Sequence, residues 1–123
     1  MQKKFILFKL TKITLNNLLN RKSDEYYVLA TKQSENPQAN YTQLYNNYIN
    51  AYKTKENALP FYNVDLSDAI NKNYLSNKLN ITNEITELKL NDEILFRIKN
   101  GEIKEYFVGK TKILDALSKI KES

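Results

Sequence analysis

Three acidic residues, Glu35, Asp92 and Glu93, are the side chains of this chain most readily put to chemical use. Glu35 lies in the polar run Lys32-Gln33-Ser34-Glu35-Asn36-Pro37-Gln38, which follows the apolar stretch Tyr26-Tyr27-Val28-Leu29-Ala30-Thr31. Asp92 and Glu93 stand just before Ile94-Leu95-Phe96. Paired carboxylates can hold a divalent cation or run acid–base catalysis. The plainer reading is solvated loop charge, because Asp and Glu are seldom buried without a partner. Glu35 also has a structural reason to be there, since a helix N-terminus favours negative charge. The nine tyrosines form a second group. Tyr41, Leu44, Tyr45, Tyr48, Ile49 and Tyr52 recur at helical spacing, so their rings could stack bases. Packing on a sheet, with hydroxyls at the boundary, is the plainer role.

What is missing narrows the chemistry further. Cysteine and histidine are both absent. That excludes disulfide exchange, Cys–His and Ser–His catalysis, and thiolate or imidazole metal sites. No residue is assigned a catalytic, cofactor-binding or metal-binding role. The net charge is +5, from 19 basic and 14 acidic residues, with no basic run of five or more. Scattered charge of this kind reads as a solvated surface, and nucleic-acid binding would need it gathered on one face. The abundance of Asn, Lys and Ile has the look of an AT-rich genome.

At 123 residues the chain is read as one domain, residues 1–123, large enough for a single core. No apolar run is long enough to span a membrane. The start, Met1-Gln2-Lys3-Lys4 before Phe5-Ile6-Leu7-Phe8, imitates a signal peptide, but Lys9 and Lys12 interrupt it. A first strand over 4–10 is expected there instead. The location expected is the cytoplasm or the cell envelope.

The elements that must position the carboxylates follow in order. Thr14 reads as a helix N-cap before Leu15, Leu18 and Leu19. Residues 26–31 read as a buried strand. Asn36-Pro37 reads as a helix start, because Pro at the first helical position loses no hydrogen bond. That helix runs to Tyr52. Leu59-Pro60-Phe61-Tyr62-Asn63-Val64-Asp65 reads as a strand and Leu66-Ser67-Asp68 as a turn. Ala69, Ile70, Tyr74, Leu75 and Leu79 suggest a helix with a break near Asn73. Residues 81–90 read as a loop with a short extended piece. Two β-rich runs flank Asn100-Gly101, a strong hairpin signal. Residues 110–121 make an amphipathic terminal helix through Ile113, Leu114, Leu117 and Ile120. The sum is an α/β domain: a mixed sheet of four to five strands with helices on both faces.

This order, with Tyr26–Thr31 as central strand, Leu59–Asp65 closing on Val-Asp, and the hairpin Ile94–Ile103 before Phe107-Val108-Gly109, resembles the thioredoxin fold. It is most similar to small thioredoxin-like proteins of low-GC Gram-positive bacteria, including bacteriocin-transport accessory proteins. The resemblance implies that a Cys-x-x-Cys pair would fall near Glu35-Asn36-Pro37-Gln38, and a cis-proline at Glu93. A carboxylate and an amide cannot replace a low-pKa thiolate. A cis bond before a non-proline residue costs about 2.5–4 kcal/mol. Both departures together imply a chain that keeps the fold without the redox role.

The function expected is therefore non-catalytic binding of another protein or peptide, as an accessory or immunity factor in peptide export or at the cell envelope. The contact residues expected are Lys32, Gln33, Ser34, Glu35, Asn36, Pro37, Gln38, Asn91, Asp92, Glu93 and Ile94. In redox-active relatives the loop before the hairpin lays its backbone beside an extended peptide, a strand-like mode that needs no thiol. The alternatives are an enzyme or metal-binding protein using Glu35, Asp92 and Glu93, and a nucleic-acid-binding module using basic residues and tyrosines.

Overall fold

The computed structural model describes residues 10–32 and 42–122. Its centre is β2, Glu25–Thr31, whose residues are buried from Tyr26 onward. A strand covered on both faces has no solvent side, so its sequence is a nearly continuous apolar run. Its neighbours are β3, Phe61–Asp65, parallel to it, and β4, Ile94–Lys99, antiparallel to it. The short β1, Thr11–Lys12, pairs parallel with β3, and β5, Glu102–Val108, pairs antiparallel with β4. The order in the five-stranded mixed sheet is β1-β3-β2-β4-β5.

Alternation along β2 sends side chains into two separate cores. Tyr27 and Leu29 join Phe61 and Leu95 beneath α1, Thr42–Lys53, and α2, Lys110–Glu122. From the stripe Tyr45 and Ile49 are fully buried there, Tyr52 nearly so and Tyr48 partly, whereas Leu44 is 46% exposed and Tyr41 lies outside the described residues. Tyr26, Val28 and Ala30 face the other way and join Val64, Phe96 and Ile98. That second core is completed by Ile13, Leu15, Leu18, Leu66, Leu88 and Leu90.

The helical cover of this second face differs from the sequence pattern. Where a helix was expected after Thr14, there is only a 3-10 turn, Leu15–Asn17, and Thr14 makes no side-chain cap to the backbone. Its hydroxyl bonds the Asn16 side chain instead. Asn16, Asn17 and Asn20 favour such local bonds over helix. The helix expected from Ala69 to Leu79 is a 3-10 helix, Ala69–Tyr74, that ends in extended backbone at Leu75. Asn71 is the cause on one side. Its buried side chain donates from Nδ2 to the Asp65 carbonyl at 2.8 Å and accepts the Leu15 N–H at 2.9 Å. On the other side, Leu90 N–H donates to Tyr74 O at 2.8 Å and Ser76 N–H to Leu90 O at 3.0 Å. These long-range bonds win over a periodicity that would have buried Ile70, which is 63% exposed. Residues 81–90 form the expected loop, with a 3-10 turn at Ile85–Glu87 and a short extended piece bridged to Leu75 and Asn80.

The hairpin forms where Asn100-Gly101 predicts it, with φ of 53° and 76°. Two positive φ values define a turn that matches strand twist, and Asn-Gly adopts them readily. Gly109, φ 90°, ends β5, and its carbonyl accepts the Ile113 N–H at 3.0 Å to begin α2. The strand expected over 4–10 and the helix start at Asn36-Pro37 lie outside the described residues, apart from Leu10.

Candidate functional site

Ala30 of β2 pairs with Ile94 of β4, so the exit of one strand and the entry of the other lie side by side. Lys32 and Glu93 are brought together by that register. The Glu93 carboxylate accepts the Lys32 N–H at 3.3 Å through Oε2, and the Tyr45 hydroxyl of α1 at 2.9 Å through Oε1. The Glu93 carbonyl accepts the Gly109 N–H at 2.9 Å. One residue thus ties together β2, α1, β4 and the junction of β5 with α2. Its own N–H donates to Asp92 Oδ1 at 2.7 Å, and Asp92 Oδ2 lies 3.5 Å from where a Cβ on Gly109 would stand.

The expected contact residues divide accordingly. Lys32 and Glu93 are half-buried, and Asn91 and Asp92 are exposed. Ile94 is fully buried in the second core, so its side chain faces away from any partner. Gln33, Ser34, Glu35, Asn36, Pro37 and Gln38 lie outside the described residues, and with them the distance from Glu35 to Asp92 and Glu93. Among the described residues no three acidic side chains gather in a way that could hold a metal ion. No cis peptide bond occurs among them either.

Tyr45 of α1 also belongs to this end of the sheet, through its hydroxyl on Glu93. Its helical spacing correctly marked it for burial, but nothing local indicates that its hydroxyl reaches residue 93. Thr31 is a second such residue. It is 1% exposed, and its hydroxyl has no hydrogen-bond partner among the described residues.

Ionisable groups also meet toward the hairpin end of the helical face. Arg97 donates from Nη1 to Glu25 Oε2 at 2.7 Å and from Nε to Glu105 Oε1 at 2.9 Å. Hydrogen bonding to Glu105, then to Glu25, raises the Arg97 pKa. Tyr27 lies beside them, stacked on Phe61 with ring centroids 4.7 Å apart. Burial, then the neighbouring Tyr52, pushes its phenol up to about 12. On the other face burial also raises the Tyr26 phenol, whose hydroxyl donates to Leu18 O at 2.7 Å.

No family model matches the chain, and no curated protein matches it. Among solved structures it is similar to a cysteine-to-serine mutant of thioredoxin from Entamoeba histolytica. The TM-score is 0.56 and the identity 17%, over 93% of this chain and 98% of that one. The chain therefore has a thioredoxin-like fold, of the α/β class, and contains no cysteine. No helix among the described residues is long and apolar enough to cross a membrane.

Proposed function

We propose that this is a redox-inactive thioredoxin-fold protein that acts by binding another protein or peptide. The observation that carries the reading is a thioredoxin-like fold in a chain with no cysteine. Thiol–disulfide exchange needs a thiolate nucleophile, and the chain has none to offer. The position that the family resemblance assigns to a cis-proline is Glu93, and both its carboxylate oxygens accept hydrogen bonds from the protein itself. That arrangement keeps the end of the sheet ordered without making it reactive. The binding face is residues 32–38 together with Asn91, Asp92 and the backbone around Glu93. The role that the resemblance favours is that of an accessory or immunity factor in peptide export or at the cell envelope.

The test is affinity capture from the source organism under mild crosslinking, comparing the native chain with a Lys32→Ala, Asn91→Ala, Asp92→Ala variant. These three side chains are exposed or half-buried, so the fold tolerates their loss. A specific partner held by the native chain and released by the variant is expected. Equal capture by both would remove the binding face from this end of the sheet. Measurable turnover in an insulin-reduction assay would overturn the redox-inactive reading.

A further inference from the structure

The chain has two arginines, and their surroundings differ. Arg97 is shared between the Glu25 and Glu105 carboxylates. Arg21, in the segment that leads into β2, makes no ion pair and no side-chain hydrogen bond among the described residues. Its guanidinium carbon lies 4.7 Å from the centroid of the Tyr62 ring. Its Nε is buried and has no hydrogen-bond partner there. A buried donor is nearly always paired. One left over on a cation marks charge that the protein has partly desolvated and not compensated, and an oxyanion is the group that completes it.

Tyr26 fixes this arrangement. Its hydroxyl accepts the Arg21 N–H at 3.4 Å and donates to Leu18 O at 2.7 Å. Its ring meets Tyr62 edge-on, with centroids 5.5 Å apart and planes at 89°. One buried side chain therefore holds both the backbone of Arg21 and the ring over which its guanidinium lies. A guanidinium held in this way loses little freedom when its terminal nitrogens take up an anion. Lys22 follows directly and is exposed. Among the described residues it makes no ion pair, and Asp24, the nearest carboxylate along the chain, pairs with neither cation. Arg21 precedes the entry of β2, whereas Lys32 follows its exit, so this position is separate from the binding face proposed above.

We infer that Arg21, held over Tyr62 and joined by Lys22, is a binding site for a phosphate group. The two terminal nitrogens of Arg21 donate to two phosphate oxygens, the end-on form of a bidentate fork. Lys22 supplies the second positive charge on a flexible stem. Two uncompensated cations match a phosphate group, which carries roughly −1.5 to −2 charges near pH 7 as a monoester, better than they match a carboxylate. Tyr26 and Tyr62 are positioning residues and do not touch the anion.

The test titrates inorganic phosphate and methyl phosphate, in parallel, into the 15N-labelled chain at pH 7.5, with ionic strength held constant by chloride. The two arms separate a site for the free ion from one for a phosphate ester. The readout is the Arg21 Nε–H signal, whose nitrogen is buried, and the Arg97 Nε–H signal, bonded to Glu105, is the internal control. Saturable movement at Arg21 with at least one of the two probes, and none at Arg97, is expected. Acetate is expected to bind about fivefold more weakly, the worth of one exposed charge contact. Arg21→Lys keeps the charge but loses the fork, and should weaken phosphate about tenfold. Lys22→Ala, at an exposed position that the fold does not depend on, should weaken it about threefold. The inference is overturned if neither probe moves the Arg21 signal saturably, if Arg97 moves as much as Arg21, if acetate binds as tightly as phosphate, or if both variants keep native affinity.

Discussion

Replacing Glu93 with alanine tests whether this residue holds the sheet end together. The substitution removes the acceptor for the Tyr45 hydroxyl at 2.9 Å and for the Lys32 N–H at 3.3 Å. Hydrogen bonds to a charged acceptor contribute about 1.5–3 kcal/mol each, toward the lower end where water can replace the acceptor. Lys32 and Glu93 are half-buried, so water partly replaces that bond, whereas Tyr45 is fully buried. Glu93→Ala should therefore lower stability by about 2–3 kcal/mol. Glu93→Gln should cost about 1 kcal/mol, because its amide oxygen can still accept the Lys32 N–H while its NH2 donates to the Tyr45 oxygen. The assay is urea denaturation followed by far-UV circular dichroism, with Tyr45→Phe and the Glu93→Ala, Tyr45→Phe double variant completing a cycle. A coupling energy of about 1 kcal/mol or more is expected. Additivity of the two single changes within about 0.3–0.5 kcal/mol would refute the Glu93–Tyr45 coupling, since uncoupled sites add within that margin.

Asn71→Leu should destabilise by about 1–3 kcal/mol in the same assay, because it leaves the Leu15 N–H without its buried acceptor, while the Asp65 carbonyl loses one donor and keeps the Asp68 N–H at 3.1 Å. A loss under about 1 kcal/mol would mean that these bonds form but matter little. Gly101→Ala should cost about 1 kcal/mol from the φ of 76° alone, as an added Cβ would meet nothing closer than Leu19 O at 3.6 Å. Tyr27 makes stability fall at high pH. Its phenol is raised in the folded chain from 10.0 to about 12, so its contribution is complete below pH 10 and is lost as pH rises through about 12. Tyr27→Phe should flatten that part of the stability-versus-pH curve, and an unchanged curve would show that other groups govern it.

Several elements were legible from local pattern because their causes are local. The hairpin at Asn100-Gly101 needs two positive φ values, and the chain supplies the residues that adopt them at that point. The alternation of Tyr26 and Tyr27 onto opposite faces follows from the two-residue period of a strand. The burial of Tyr45, Ile49 and Tyr52 follows from the helical period. The stretch 69–79 was misleading for the opposite reason. Its apolar spacing suited a helix, but Asn71 is drawn to Asp65 and Leu15, and Tyr74 and Ser76 are drawn to Leu90. No local signal reveals partners 56 residues away in the chain, as Leu15 is from Asn71.

The same division applies to the candidate site. Sequence alone determined that thiol and imidazole chemistry is absent, because those atoms are not in the chain. The resemblance to the thioredoxin fold implied that the loops holding Lys32 and Glu93 lie at one end of the sheet, and the β2–β4 register brings the two residues together. Only the tertiary structure decided that Ile94 turns into the core, and that the Glu93 carboxylate is occupied by Lys32 and Tyr45. Strand register locates a residue along the chain's path. Where its side-chain atoms find their partners depends on which helix packs across the sheet, and that is settled by packing between segments far apart in sequence.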